Sequence, residues 1–393
     1  MKACSPPCPA SFPKDKSAVP GGHVHEARMK ITFVLPLAST NGGNRVVATY
    51  ARILHERGHD VTVISQAGRP QAGWKPLVKR LLGMQKRRTV PPTPLLDFLG
   101  PKHRVVGHRR PLDPGDVPDG DVVVATWWAT AEYVATLPRS KGEKFYLLQD
   151  YEVFPNLPAD RVIATYHLPL RKIAVSDYIR TEIETNHGAQ VIDVVPNAVD
   201  LDQFAAPIRA RNEAVTIGFL YTQKPRKNIA LAIEAVRLAR TRLPDLRVKA
   251  FGGKAPDAAL PLPDWVEYHQ NPAQQDIPGI YAACDTWLFT SEKEGFGLPI
   301  LEAMACRTPV LATRAGAAPD LIDGVNGTLL PGTPEAFADE IQRLADMSDA
   351  DWQDRSAAAY RTATAHTWQD ATDRLLDIFA GKASVSATSE ASG

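Results

Sequence analysis

The stretch Ser291–Cys306, SEKEGFGLPILEAMAC, concentrates more groups able to do chemistry than any other part of the chain. Two carboxylates, Glu294 and Glu302, bracket the run Gly295-Phe296-Gly297-Leu298. Pro299 follows, a residue suited to the first turn of a helix, where its missing N–H costs nothing. The spacing puts Glu294 in a loop and Glu302 in the first helical turn. Glycines that feed a helix N-terminus expose amides beside the positive end of the helix dipole, which suits an anion such as a diphosphate. A carboxylate at that edge can accept two hydrogen bonds from a ribose diol, or can serve only as a favourable charge on the helix. A second constellation, Gln223-Lys224-Pro225-Arg226-Lys227-Asn228, places three cations before a helix that Asn228 would cap. Cations so placed stabilise charge developing on a departing diphosphate. A third, Gln149-Asp150-Tyr151-Glu152, follows an apolar run; Gln149 cannot act as a base but can hydrogen-bond a hydroxyl.

The elements that must position these groups alternate between strand and helix. Lys30–Leu35 reads as a buried strand, and a loop with Gly42-Gly43 leads into Arg45–Arg57, apolar at Val47, Tyr50, Ala51 and Leu54. Gly58 ends that helix and Val61–Ile64 is the next strand. Asp121–Ala125, Lys144–Leu148, Ile173–Val175 and Val191–Val195 continue the series. The polar, aperiodic Leu201–Glu213 reads as a linker, after which the pattern restarts at Val215–Leu220 and runs through Val248–Phe251, Val266–His269, Thr286–Thr290 and Val310–Ala312. The fold class is therefore α/β, with two doubly wound halves facing one crevice lined by the carboxyl ends of both sheets. The boundaries read as 1–28 for a leader, 29–205 and 206–365 for the domains, 366–382 for a C-terminal helix packing back on the first domain, and 383–393 for a tail. Met29 is a second candidate for the start of translation.

Gross composition removes several classes. The 393 residues carry a formal net charge of +1, so no global field draws the chain to nucleic acid. No apolar run is long enough to span a bilayer. Cys4, Cys8, Cys284 and Cys306 make neither a disulfide framework nor a zinc pattern, which points to a reducing cytoplasm. The ten histidines lack ligand spacing and no Asp-x-Asp pair follows a strand, so no metal or other cofactor is expected.

The run EGFGLPILEAMA resembles the E-x7-E signature of retaining glycosyltransferases of family 4, whose fold is GT-B, two Rossmann-like domains across a crevice. The resemblance extends from Met29 to about Phe379. Asn41-Gly42-Gly43-Asn44 resembles the family's first-domain glycine loop, and Pro196-Asn197-Ala198-Val199-Asp200 is similar to its P-N-G-V-D. It implies that Glu294 contacts the donor sugar, Glu302 the nucleotide ribose, and Lys227 the leaving diphosphate. The family usually carries an Arg where Tyr221 stands, leaving Arg226 or Lys224 to supply the second cation. It also usually carries His where Gln149 stands; the Q-D-Y-E version is similar to a subgroup tied to rhamnose-type and polysaccharide-building transfer.

The resemblance thus implies retaining transfer of a sugar from a nucleotide-sugar donor to a glycan or lipid-linked acceptor. The diphosphate would lie on the Gly295–Leu298 amides and Lys227, with Gly42-Gly43 closing over it. Two other readings stay open: a nucleotide-sugar epimerase, and a non-catalytic sugar-nucleotide-binding subunit. Trp74–Arg110 fits neither half, with ten Lys/Arg against one acid, Asp97. It reads either as a solvated loop or as a peripheral contact with an anionic membrane.

Overall fold

A computed structural model describes residues 27–37, 39, 41–67, 94–107 and 112–382. Strand β1 (Lys30–Leu37) is apolar and buried on both faces, as a central parallel strand must be. Helix α1 (Gly42–Glu56) begins where the Asn41 side chain accepts from the Asn44 amide at 2.8 Å, and it buries Val46, Val47, Tyr50, Ala51 and Leu54. Then come β2 (Asp60–Gln66), β3 (His103–Val106), β4 (Val122–Ala125), α2 (Trp128–Thr136), β5 (Glu143–Leu148), α3 (Ala159–Tyr166), β6 (Arg171–Ala174), α4 (Asp177–His187) and β7 (Asp193–Val194). Their strands form one parallel sheet in the order β3-β2-β1-β4-β5-β6-β7.

Strand β3 corrects the reading of Trp74–Arg110 as foreign to both halves. A 3-10 segment over Pro94–Lys102 buries Leu96 and Leu99, and β3 then pairs with β2 to finish the first sheet. The rest of that basic segment, and its membrane reading, lie outside the described residues.

The second domain holds β8 (Thr216–Leu220), α5 (Ile229–Arg242), β9 (Arg247–Gly252), β10 (Val266–Gln270), α6 (Ile277–Ala282), β11 (Thr286–Phe289), α7 (Leu298–Ala305), β12 (Val310–Ala312), α8 (Ala318–Leu321), β13 (Gly327–Leu329), α9 (Pro334–Asp346) and α10 (Asp349–Thr364). Its parallel sheet runs β10-β9-β8-β11-β12-β13. Much of the expected linker is clasped to this domain. The buried Asp285 carboxylate accepts from Arg209, from both the backbone and side chain of Asn212, and from the Thr216 amide, while Arg211 donates to the carbonyls that end α9.

The last helix, α11 (Trp368–Phe379), returns to the first domain. Trp368 meets Tyr50 edge to face at 5.3 Å, Phe379 lies 4.8 Å from Phe145, and Arg374 pairs with the buried Asp193. One cluster of buried apolar residues runs from the first sheet through Phe296 and Ile300 to Tyr281 and Trp287; another fills the opposite face of the second sheet. The halves are therefore held by core as well as by chain, and both sheets turn their carboxyl ends to one crevice.

Candidate active site

The turn after β8 brings the cations to the crevice. Three hydrogen bonds tie it to the segment after β11: Thr290 Oγ1 to the Lys227 carbonyl at 3.2 Å, the Glu292 amide to the Arg226 carbonyl at 2.8 Å, and Asn228 Nδ2 to Glu292 Oε1 at 3.0 Å. This sets Lys227 opposite Glu294, and the two form an ion pair, both largely withdrawn from solvent at 15% and 7% side-chain exposure. Burial, then Arg226 and Lys224, push the Lys227 ammonium down to about 7, against the pull of Asp150 and Glu302.

Glu294 leads directly into a contact between domains. A Cβ on Gly295 would overlap the Gln149 carbonyl oxygen, so only glycine lets the loop after β5 lie this close. Ser176, the cap of α4, donates to the Gly295 carbonyl at 2.6 Å from the first domain. Gly297 caps α7 with φ 99°, a left-handed conformation suited to glycine. The loop Gly295-Phe296-Gly297-Leu298 is thus fixed from both sides. Glu302 lies further along than the sequence suggests: α7 begins at Leu298, so Glu302 opens its second turn. It accepts a hydrogen bond from the Tyr281 hydroxyl at 2.8 Å, and burial raises its pKa.

From the first domain, Gly43 lies against Gln149, whose Oε1 would be 3.2 Å from a Cβ there, and Gly42 lies over Leu298. Asp150 forms an ion pair with Arg226, whose guanidinium also sits 5.0 Å from the centre of the Phe154 ring. Burial raises the Asp150 pKa, opposed first by Arg226. Glu152 is not the loop acid its position suggests. It is fully buried, accepts from the Trp128 amide at 2.7 Å and the Tyr146 hydroxyl at 3.0 Å, and burial holds its pKa well above the ordinary value.

Beside Glu302 opens a cleft of about 750 Å³ lined by both domains, with Arg45, Tyr221, Lys224, Lys254, Tyr281 and Glu302 among its walls. Tyr221 borders this cleft but is buried, and its hydroxyl is committed elsewhere. It donates to the Leu260 carbonyl at 2.7 Å and accepts from the Asp257 amide at 2.8 Å. The structure thus brings Lys227, Glu294, the glycine loop, Gln149, Asp150, Arg226 and Gly42-Gly43 into one neighbourhood, with Tyr221 and Glu302 on the adjoining cleft. Sequence reasoning missed Arg45, Phe154 and the burial of Glu152. Only Arg45 left a signal, a cation just past two glycines. Among the described residues no three His, Cys, Asp or Glu side chains cluster as a metal site, and no helix is long and apolar enough to cross a membrane.

Comparison with known proteins bears on the family and the fold. The family model described as Glycosyl transferases group 1 matches residues 211–347, which cover most of the second domain. O-antigen chain mannosyltransferase B of Escherichia coli is 28% identical over 229 residues, 53% of this chain and 59% of that protein. A D-inositol 3-phosphate glycosyltransferase of Mycobacterium bovis is 31% identical over 231 residues, 52% of this chain and 47% of that protein. The chain spans about half the length of the curated relatives it matches. Anabaena HepE, solved in complex with UDP, superposes with a TM-score of 0.69 at 17% identity, over 90% of this chain and 100% of that one. The fold is GT-B. The family match and the relatives support a place among the group 1 glycosyltransferases.

Proposed function

We propose that the protein is a retaining, family 4 type glycosyltransferase that needs no metal. It takes a hexose-type sugar from a nucleotide-sugar donor and passes it to a glycan or lipid-linked acceptor, in cell-surface polysaccharide or glycoconjugate synthesis on the cytoplasmic side of a membrane. One observation carries this reading: the Lys227–Glu294 pair stands at the carboxyl edge of the second sheet, against Gln149 and Asp150 of the first, with the Glu302 cleft beside it.

In this reading the nucleotide fills the cleft with its ribose on Glu302, and the diphosphate extends over the amides that open α7 toward Lys227. Glu294 holds the sugar. The acceptor oxygen attacks the anomeric carbon from the face the diphosphate leaves. The bond from that carbon to the phosphate oxygen breaks, and the acceptor proton passes to that oxygen. Fixed cations and helix amides oppose the growing negative charge without reorganising, the term that contributes most to such catalysis. The relatives named as a mannosyltransferase and an inositol phosphate glycosyltransferase, and the UDP bound to HepE, support a hexosyl donor of this class.

A non-catalytic nucleotide-binding subunit is the second reading, favoured by the commitment of the Tyr221 hydroxyl to structure. One experiment separates the two. Turnover of nucleotide sugars with a panel of glycan and lipid-linked acceptors, run in excess EDTA, is followed by NMR of the product's anomeric centre. A product that keeps the donor's anomeric configuration supports the proposal. Inversion, or rescue only by a divalent ion, overturns the mechanism; nucleotide binding with no turnover supports the second reading.

A further inference from the structure

Arg45 occupies an uncomfortable position. It closes the first turn of α1, where the helix dipole is positive and no acidic residue offsets it, and its guanidinium makes no ion pair among the described residues. It nevertheless lines the cleft between domains, opposite the half-buried Glu302, and its charge pulls that carboxyl's pKa down against burial. Of the second-domain cations nearby, Arg226 is paired with Asp150 and Lys227 with Glu294, while Lys224 and Lys254 share the cleft wall with Arg45. Tyr221 offers the cleft no charge, and its hydroxyl is held by Leu260 and Asp257.

A cation that gains nothing from its own domain, placed where two charged side chains of the other domain are paired off, lowers the energy of an anion that enters between them. The first turn of α1 sits on the same side, Gly42 over Leu298 at the start of α7 and Gly43 against Gln149. We infer that Arg45 is the first domain's ligand for the donor diphosphate, supplying from across the crevice the second cation that position 221 does not. This rests on the donor reading above. It also makes the nucleotide a tie between domains, since the ribose is held by the second and the diphosphate by both.

The test compares wild type, Arg45→Ala and Arg45→Lys by calorimetry and thermal unfolding, with UDP, GDP, ADP and dTDP and with the matching nucleosides. Arg45→Ala should weaken the nucleoside diphosphate that wild type binds by about tenfold or more, leave the nucleoside unchanged, and not lower the unliganded melting temperature. Arg45→Lys should recover part of the loss. Equal diphosphate affinity in wild type and Arg45→Ala overturns the inference, as does an equal loss for nucleoside and diphosphate. Failure of wild type to bind any of the four diphosphates sinks the donor reading itself, a result distinct from these.

Discussion

Gly295 and Gln149 touch backbone to backbone across the two domains, the Gln149 carbonyl oxygen filling the space where any side chain on residue 295 would begin. The closeness joins two groups of candidates that lie far apart in sequence, and it fixes the distance between the donor loop and the first domain.

Gly295→Ala should therefore force the domains or the loop apart. Overpacking against backbone costs about 1–3 kcal/mol, and activity should fall further than stability because the loop also positions Glu294. Gly107→Ala, where a Cβ meets nothing within 4 Å and which lies away from the cleft, is the control. Thermal unfolding and turnover of the two variants decide it; parity between them would show that the contact relaxes freely.

Lys227 gives the site a pH dependence with a defined sign. Its ammonium is pushed down to about 7 in the free protein, so it loses charge as pH rises through that value. Nucleoside diphosphate affinity should then weaken from pH 6 to 9, and Lys227→Arg, charged throughout, should flatten the profile. Lys227→Ala should lower kcat more than it raises the donor KM if the residue stabilises leaving-group charge. Affinity that is flat or improves with pH in wild type would remove Lys227 from the diphosphate.

Much of this site was legible because local patterns determine it. The run from Glu294 to Glu302 is a loop and a helix start in contiguous sequence, and the strands on either side are apolar runs of ordinary length. Strand β3 was not legible. Four residues after Gly100-Pro101, with Val105 exposed, show no period, and only pairing with β2 makes them a strand. Glu152 reads as a loop acid because its burial comes from Trp128, Tyr146 and Tyr166, which the chain brings in from either side. Arg45 and Arg226 depend on how two domains face each other, which no periodicity encodes. Glu302 falls just past the first turn because the helix start is set by the Gly297 cap rather than by proline alone.

Glu152 predicts a second pH effect, on stability. Burial raises its folded-state pKa well above 4.5, so the folded protein holds this proton more tightly than the unfolded chain. The stabilisation is complete at low pH and is lost as pH rises through the folded value. Relative to Glu152→Gln, wild type should lose stability from pH 4.5 toward neutrality. Parallel melting-temperature profiles for the two proteins would show that the carboxyl stays charged when folded.

Tyr221 should resist replacement. It is 2% exposed and both hydrogen-bonding roles of its hydroxyl are taken. Tyr221→Phe should cost about 1–3 kcal/mol by removing two partly buried hydrogen bonds, and Tyr221→Arg more, by burying a charge where the ring now lies. Denaturant unfolding measures both; an unchanged midpoint for Tyr221→Arg would mean the loop at Asp257–Leu260 re-forms around a cation.

The account stands or falls on Glu302 as the holder of the nucleotide. The direct measurement is calorimetric titration of wild type and Glu302→Ala with the nucleoside diphosphate that wild type binds. Loss of charge-assisted hydrogen bonds to the ribose predicts weaker binding by about 1.5–3 kcal/mol in the variant. Equal affinity in the two proteins would contradict the placement of the nucleotide in the Glu302 cleft, and with it the donor geometry proposed for this site.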